Sequence, residues 1–570
     1  MIENRKARNR KARIGPVMPK HRNILFIMFD QLRWDYLSCA GHPHLHTPHI
    51  DALAAQGVRF TRAYVQSPVC GASRMSFYTG RYVHSHGATW NRVPLKVGER
   101  TMGDHLRSSG MDCWLIGKTH MKADDEGMAH LGIDPTSVIG ARVEQCGFDV
   151  WERDDGMRPE GPDGFYDDTG AAAYNDYLRG KGYRSANPWH DFANAGRDAA
   201  DPEDMASGWF MKNAGKAAAI ENDDSETPYM TTRAIEFMSQ AANTPWCLHL
   251  SYIKPHWPYI APAPYNDMYG PEHVIPVARH AREHDEAHPV YKAFMEGRIG
   301  KAFSRAEVRN AVIPAYMGLI KQCDDQMGRL FQWLKDNGKW EETLIVLTSD
   351  HGDYLGDHWM GEKDLFHEPS VKVPLIIRDP SDAAHPTRGT TCDALVEAID
   401  LAPTFLEVAG GEARPHILEG RSLLPWLYGD TPEWRDYAVS EYDYASNPAA
   451  ARLAKDPSSA RLFMIADARW KFMHAEGMRP QLFDMQSDPE EYEDLGTSTD
   501  HAEVIALMYQ RLGEWARRLS QRTTKSDAQI VADRTGSATR GVTLGLYDED
   551  DIPAHLTQFY RGKPRPDPAG

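Results

Sequence analysis

Asn23-Ile-Leu-Phe-Ile-Met-Phe29 is an unbroken apolar run of strand-forming residues, and the polar pair Asp30-Gln31 follows it directly. A run of this length without alternation predicts a strand that is buried on both faces, as in the middle of a parallel sheet. Ligands of such sheets bind beyond the carboxyl ends of the strands. We therefore expect Asp30 and Gln31 to lie at a binding site.

Helix and strand patterns alternate along the chain after this first strand. Thr47 and Pro48, for example, are typical of a helix start, and Gly57 of a helix end. This alternation predicts an α/β fold, with a mostly parallel central sheet flanked by helices. The predicted helices cover 47–57, 73–80, 101–110, 231–240, 306–337 and 401–408, and the later strands cover 58–65, 111–117, 246–253, 343–348 and 373–377.

Changes in composition divide the chain into four predicted parts. A basic N-terminal tail covers 1–21, and the α/β domain that carries the candidate site covers 22–429. Short strand patterns and one helix over 430–522 predict a small α+β domain, and 523–570 is rich in Gly, Pro and charge, which predicts an extended arm. Within the large domain, 144–227 has weak periodicity and is predicted to be a long irregular insertion.

Composition narrows the possible partners and compartment. The chain of 570 residues has 64 basic and 81 acidic residues and a formal charge of −17, which argues against general nucleic-acid binding. Its seven cysteines show no disulfide or zinc-ribbon spacing, which favours a reducing compartment. We found neither a signal-peptide pattern nor an apolar run near the roughly 18 residues of a membrane span. We therefore predict a soluble cytoplasmic protein that does not associate with a membrane.

Cys70 lies in the stretch 67–81, between a predicted strand and a predicted helix, with Arg74 and Arg81 close by in sequence. The partial positive charge of a helix N-terminus and nearby cations lower the pKa of a thiol and expose a nucleophile. The alternative is that Cys70 is a small core residue. From the residues alone, both interpretations stay open.

Polar side chains recur at the predicted strand ends. A single hard divalent cation explains this recurrence, because carboxylate and amide oxygens are ligands of Mg²⁺, Ca²⁺ and Mn²⁺. The added imidazole favours Mn²⁺ over Ca²⁺. Lys118, Lys363 and the histidines would then bind and protonate an anionic substrate. Asp350-His351-Gly352 has a simpler alternative as a capped turn. The strand-end residues are Asp30, Gln31, Cys70, Lys118, His120, His256, Asp350 and His351.

Cys70-Gly-Ala-Ser-Arg74, followed by Thr79-Gly-Arg81, resembles the Cys-x-(Pro/Ala)-Ser-Arg signature of type I sulfatases and phosphonate monoester hydrolases in the alkaline phosphatase superfamily. The resemblance covers most of the chain, from about Asn23 to Leu495, and implies an alkaline phosphatase-like fold. It further implies that a maturation enzyme converts Cys70 to formylglycine, whose hydrated aldehyde would be the nucleophile.

The same resemblance assigns roles to the other site residues. It implies metal binding by Asp30, Gln31, modified Cys70, Asp350 and His351, substrate binding by Asn91, Lys118 and Lys363, and catalytic roles for Cys70, Arg74, His120 and His256. Arg74 would hold the formylglycine side chain. Many arylsulfatases carry Asp-Asp where this chain has Asp30-Gln31 and Asp-Asn where it has Asp350-His351, so negative charge is reduced or the ligand set is softer here.

The segments 252–265 and 350–368 look most like the phosphonate monoester hydrolase branch, which also hydrolyses phosphodiesters. We therefore expect a metal-dependent hydrolase of phosphonate monoesters and phosphodiesters. A sulfatase acting on a small or aryl sulfate ester is the second hypothesis, and a metal-binding structural or carrier protein with unmodified Cys70 is the third. Members of the branch are often tetrameric, so the arm after Thr523 is predicted to contact other subunits of a homotetramer.

Overall fold

The computed structural model describes five parts of the chain, and the predicted N-terminal tail lies outside them. Most of 144–227 is described, whereas the C-terminal arm is described only in part. The described residues are 23–155, 173–198, 205–241, 244–534 and 545–555.

Strands and helices alternate through most of the described chain. The strands are β1 (Asn23–Asp30), β2 (Val58–Tyr64), β3 (Asp112–Gly117), β4 (Asp149–Arg153), β5 (Ala195–Arg197), β6 (Met205–Ser207), β7 (Ala217–Ala218), β8 (Trp246–Pro255), β9 (Thr343–Ser349), β10 (Leu375–Arg378), β11 (Thr390–Glu397), β12 (Ala438–Asp443), β13 (Arg461–Ala466), β14 (Trp470–Ala475) and β15 (Gln481–Asp484).

The helices vary from a single turn to the long α12. They are α1 (Pro48–Ala54), α2 (Cys70–Thr79), α3 (Val83–His86), α4 (Met102–Arg107), α5 (Asp125–Leu131), α6 (Val138–Glu144), α7 (Ala173–Lys181), α8 (Glu226–Gln240), α9 (Ala281–Asp285), α10 (Pro289–Met295), α11 (Arg298–Phe303), α12 (Ala306–Asp336), α13 (Glu368–Val371), α14 (Leu401–Val408), α15 (Leu424–Leu427), α16 (Pro448–Arg452), α17 (Ala502–Ala516) and α18 (Asp527–Asp533).

A large sheet with the strand order β11-β2-β10-β9-β1-β8-β3-β4 forms the centre of the molecule. The predicted central strand β1 is buried along its whole length and pairs in parallel with β8 and β9. One strand, β10, runs antiparallel to both β9 and β2. The segment after β9 turns back at the carboxyl end of the sheet, so β10 enters the sheet from that end.

Helices cover both faces of this sheet. Side chains of α2, α4 and α14 share one apolar core with one face, and those of α1, α8 and α12 share a second core with the other. The apolar run of β1 fits this placement, because Phe26 and Met28 belong to the first core, whereas Leu25 and Ile27 belong to the second. The predicted α/β fold with a mostly parallel sheet is confirmed.

A separate antiparallel sheet follows in the C-terminal part, with the strand order β12-β13-β14-β15. Helix α17 packs on it through Met508, Leu512 and Trp515, which share a small core with Val439 and other apolar residues of the sheet. The smaller α+β unit expected from the sequence is therefore present, and its predicted boundaries, 430–522, stay a prediction.

The insertion over 144–227 is more regular than predicted. Its strand β4 extends the central sheet beside β3, and β6, β5 and β7 form a small antiparallel sheet. These last strands have only two or three residues each, too few to produce a periodic pattern. In the described parts of the chain, we find no helix with the length and apolarity that crossing a bilayer requires.

Candidate active site

Strand ends bring the two predicted metal carboxylates together around one arginine. Asp30 ends β1 and Asp350 follows β9, the neighbouring strand, and both are fully buried. Arg74 Nε donates to Asp350 Oδ2 at 2.8 Å, and Arg74 Nη2 donates to Asp30 Oδ2 at 3.2 Å. Its Nη1 donates to Ser251 Oγ and to the carbonyl of Lys118. The guanidinium thus fixes the spacing of two carboxylates that would otherwise repel each other.

Cys70 is the first residue of α2, three residues before the predicted start of this helix at Ser73. The N–H of Gly71, in the first turn, donates to Asn91 Oδ1 at 2.8 Å. A Cβ atom at Gly71 would lie 2.8 Å from this oxygen and 3.2 Å from Asn91 Cα, so the close approach requires glycine. Asn91 therefore caps the helix that presents Cys70.

Donor atoms of Asp30, Cys70, Asp350 and His351 all lie within 4.8 Å of one another, and all four residues are buried. His351 Nδ1 donates to the carbonyl of Gly352 at 2.9 Å, so Nε2 is the nitrogen whose lone pair a metal would take up. Burial disfavours the protonated ring, but Asp350 and Cys70 raise the pKa of His351 above its usual value. This Nε2 lies 3.7 Å from Asp30 Oδ1, a buried oxygen without a hydrogen-bond partner among the described residues. Two carboxylates, one of them with an unpartnered oxygen, and an imidazole are a set of ligands that fits a divalent cation.

Gln31 lies beside this donor set, and its backbone and side chain are both hydrogen-bonded within the site. Its side-chain Nε2 donates to Tyr259 Oη at 3.0 Å and to Asp353 Oδ2 at 2.5 Å, and its Oε1 accepts from Lys363 Nζ at 3.3 Å. These partners orient the amide so that its oxygen points towards Lys363 Nζ. Its backbone N–H donates to Asp350 Oδ1, although the φ of +66° is unusual for a residue other than glycine.

Three cationic side chains offset the negative charge of the cluster. Lys118 Nζ lies 2.5 Å from Asp30 Oδ2, and Arg74 and Lys363 lie beside it in the same buried region. Burial alone would raise the pKa of the Cys70 thiol, but Lys363, His351 and Lys118 hold that pKa well below its usual value. These cations therefore stabilise negative charge at residue 70. The same stabilisation would favour an ionised nucleophile and the binding of an anionic substrate.

His256 and Lys363 form a second part of the site. His256 Nδ1 donates to the carbonyl of Trp257 at 2.7 Å, and its Nε2 accepts from Lys363 Nζ at 3.2 Å. Burial lowers the pKa of His256 to about 3, although Asp30 acts in the opposite direction. The ring is therefore neutral near pH 7, and the proton of this pair lies on Lys363 Nζ.

His120 lies at a turn held by a carboxylate. Asp155 Oδ1 accepts from the N–H groups of Thr119 and His120 at 3.0 and 3.1 Å, which supports a φ of +55° at His120. The imidazole is near enough to Cys70 to help lower the pKa of its thiol. Its Nδ1 is buried without a hydrogen-bond partner in the described parts of the chain.

The structure thus brings all of the predicted site residues into one region, and their catalytic roles stay predictions. The sequence did not single out Asp155, Ser251, Tyr259 or Asp353, which orient His120, Arg74 and Gln31. Tyr259 and Asp353 follow His256 and His351 by three and two residues. This proximity to predicted site residues was the available signal for both.

Two family models match the chain. The model described as "Sulfatase" matches residues 22–145 and 167–411, and the model described as "N-sulphoglucosamine sulphohydrolase, C-terminal" matches residues 356–518. The first match contains every predicted site residue and covers more than half of the chain.

Individual proteins agree with this assignment. The chain is 31% identical to the multifunctional alkaline phosphatase superfamily protein PehA of Trinickia caryophylli, over 92% of this chain and 98% of that protein. An arylsulfatase of Clostridium perfringens is 27% identical, over 85% of this chain and 92% of its own. The crystal structure of a phosphonate monoester hydrolase of Agrobacterium radiobacter superposes with a TM-score of 0.73 at 31% identity, over 86% and 95% of the two chains. The protein described here therefore belongs to the sulfatase family and is a hydrolase of the alkaline phosphatase superfamily.

Proposed function

We propose that the protein hydrolyses phosphonate monoesters and phosphodiesters, with a formylglycine formed from Cys70 as nucleophile and one divalent ion, for which we favour Mn²⁺ over Ca²⁺ and Mg²⁺. The observation that carries this proposal is the position of Cys70 Sγ, 3.0 Å from His351 Nε2, in a cluster with two buried carboxylates. The likeness to a phosphonate monoester hydrolase supports the choice of substrate.

The donor set would hold the ion through Asp30, Gln31, Asp350 and His351, next to residue 70. A bound divalent ion supplies positive charge that lowers the pKa of a nearby hydroxyl and polarises an ester oxygen. Arg74 is hydrogen-bonded to Oδ2 of both Asp30 and Asp350, so it would keep the distance between the two carboxylates when an ion binds or leaves.

Lys118 and Lys363 are placed to bind the anionic oxygens of the substrate. Phosphonate monoesters, phosphodiesters and sulfate monoesters all carry one negative charge at neutral pH, so these cations do not separate the three classes. Their ammonium groups would stabilise the negative charge that develops on the reacting group.

The leaving oxygen needs a proton, and the His256–Lys363 pair holds one. Lys363 Nζ is hydrogen-bonded to His256 Nε2, so a proton can pass from Nζ to Nε2 and from Nε2 to the departing alkoxide or phenoxide, which leaves Lys363 neutral. On the nucleophile side, one hydroxyl group of hydrated formylglycine would carry the transferred group, and His120 would accept the proton of the other. The aldehyde C=O bond then forms again as the carbon–oxygen bond to the product breaks.

A sulfatase acting on a small or aryl sulfate is the second candidate, favoured by the similarity to an arylsulfatase. Parallel kinetics on p-nitrophenyl phenylphosphonate, bis(p-nitrophenyl) phosphate and p-nitrophenyl sulfate, which share one leaving group, distinguish the two. We expect the highest kcat/KM on the phosphonate or the phosphodiester. A clear preference for the sulfate would overturn the proposal.

The nucleophile is tested by Cys70→Ala, in protein made together with a formylglycine-generating enzyme. We expect kcat/KM to fall by more than about 10³-fold on every substrate, since no other group can take over the covalent step. The wild-type peptide that contains residue 70 should be about 18 Da lighter than its cysteine form. Full turnover by the variant would refute the assigned nucleophile.

A further inference from the structure

Lys254 lies immediately before the turn that carries His256, and only 6% of it is exposed. Its ammonium nitrogen has three oxygen acceptors. Nζ donates to the carbonyl of Pro258 at 3.0 Å, to Asn194 Oδ1 at 3.3 Å and to the carbonyl of His256 at 3.4 Å. None of the roles assigned above uses Lys254.

The number of acceptors matches the charged form of the side chain. An ammonium group has three N–H donors and no acceptor, and here three oxygens surround it. Burial lowers the pKa of Lys254, and the buried carboxylate of Glu226 opposes this shift. A buried cation with three oriented acceptors is a rigid connection between the segments that supply them.

Two of these acceptors flank the residue that orients His256. Lys254 binds the carbonyls of His256 and Pro258, and the carbonyl of Trp257 between them accepts from His256 Nδ1 at 2.7 Å. The hydrogen bond from Nδ1 places the lone pair of the ring at Nε2, opposite Lys363. The position of His256 Nε2 thus depends on a turn whose carbonyl groups are hydrogen-bonded to Lys254.

The third acceptor belongs to the insertion. Asn194 Nδ2 donates to the carbonyl of Trp189 at 3.1 Å, and Trp189 Nε1 donates to Glu226 Oε1 at 3.2 Å. Lys254 therefore joins the turn of His256 to a buried polar network of the insertion and of helix α8. Through this connection, a displacement of the insertion at Asn194 would also displace the turn that carries His256.

We propose that Lys254 is a positioning residue for the leaving-group side of the site, and that it acts on the reaction through His256. The inference rests on the proposed function only in that His256 and Lys363 serve the leaving oxygen. It adds the claim that the insertion, through Asn194, controls the geometry of this proton transfer.

The test is a double-mutant cycle between Lys254→Met and His256→Ala, with phenyl and p-nitrophenyl esters of phenylphosphonic acid. Phenoxide needs protonation more than p-nitrophenoxide does. We expect Lys254→Met to lower kcat/KM about 30-fold on the phenyl ester and about threefold on the p-nitrophenyl ester. In the His256→Ala background the same change should cost less than about twofold on either ester.

Lys471→Met is the matched control, since Lys471 is also a buried lysine with carboxylate partners, Glu368 and Glu491. Its cost should be the same for both esters and in both backgrounds. Asn194→Ala serves if Lys254→Met does not fold, because it removes one acceptor and keeps the cation. We expect it to lower kcat/KM about threefold on the phenyl ester alone.

Additive losses in the cycle, or equal losses on the two esters, would overturn the inference. So would an Asn194→Ala variant with wild-type kinetics on both esters, if that variant has to carry the test. If the wild-type enzyme acts on sulfates instead, the proposed substrate is wrong. The same cycle with phenyl and p-nitrophenyl sulfate then still tests Lys254.

Discussion

Two clusters of aspartate and histidine in this molecule have similar composition and different construction. One is the active-site cluster of Asp30, Cys70, Asp350 and His351, and the other consists of His49, Asp324 and Asp325, where α1 meets α12. In each cluster the candidate donor atoms lie within 4.8 Å of one another. Residue type and spacing alone would make both of them metal sites.

The difference lies in where the fixed positive charges are. In the active-site cluster, Arg74 and Lys118 contact the outer oxygen of Asp30 and leave Oδ1 directed at His351. In the second cluster, Asp324 Oδ1 accepts from the N–H groups of His49 and Ile50, at the start of α1.

The ammonium group of Lys321 completes the second cluster. It contacts Asp325 and lies 3.7 Å from Asp324 Oδ2. Asp324 thus caps a helix, and a lysine already occupies the place of a cation. The fixed cations thus lie outside the carboxylates of the candidate metal site, whereas a lysine lies among the carboxylates of the second cluster.

Loss of one histidine from each cluster gives the largest expected contrast. His351→Ala should remove the bound divalent ion and lower kcat/KM by more than about 10³-fold, because the ion provides charge that no other group supplies. His49→Ala should retain one ion per chain and stay within about twofold of wild-type kcat/KM. Metal content by elemental analysis and steady-state kinetics check both variants. Loss of metal from the His49→Ala protein would contradict our distinction.

Removal of the organising cation is expected to have the next largest effect. Arg74→Met leaves two buried carboxylates without their partner and should lower the free energy of unfolding of metal-depleted protein by about 3–5 kcal/mol. Lys321→Met removes a partly exposed cation and should cost about 1 kcal/mol. Urea unfolding measures both values. Added Mn²⁺ should restore part of the loss in Arg74→Met, and equal losses in the two variants would show that the clusters are alike.

The smallest expected effect is a pH dependence of the second cluster. Burial raises the pKa of Asp324 from 3.8 to about 7, against the opposing effects of the Ile50 N–H and Lys321. Because the folded state holds this proton more tightly than the unfolded state, stability is highest at low pH and falls as pH rises towards 7. The loss between pH 5 and pH 8 should be roughly 2 kcal/mol from this group.

Asp324→Asn isolates this contribution, since the amide oxygen can still cap α1. The groups that face Asp324 are Lys321, Asp325 and the first turn of α1 with His49, and all of them remain in the variant. Urea unfolding at pH 5, 6, 7 and 8 should give a flatter profile for Asp324→Asn than for the wild type. Parallel profiles would mean that Asp324 is ionised throughout this range.

The sequence predicted the meeting of Asp30 and Asp350 better than the contacts that hold the turn of His256. Asp30 and Asp350 follow apolar runs, and the parallel order of β1 and β9 then places them together, so local patterns were sufficient. Lys254 and Asn194 also lie near the site, but their contact joins segments sixty residues apart. Nothing in the local pattern of the insertion indicates where Asn194 points.

Element boundaries and strand direction were harder to predict for the same reason. The small residues at 71–73 gave no clear helix start, and the cap that begins α2 at Cys70 comes from Asn91, twenty residues away. The apolar run of β10 predicted a strand but carries no information about direction. The direction of β10 depends on the preceding segment, which lines the site and ends at the carboxyl end of the sheet.

Helix α2 is buried along its entire length, including Cys70, Ser73 and Arg74. A modifying enzyme that reads these residues would need them extended and accessible, and the folded chain offers neither condition. Conversion of Cys70 would therefore have to happen during or soon after synthesis, before the central sheet closes over it. The timing of this conversion relative to folding, and not only the final geometry of the site, would then decide whether a given molecule becomes active.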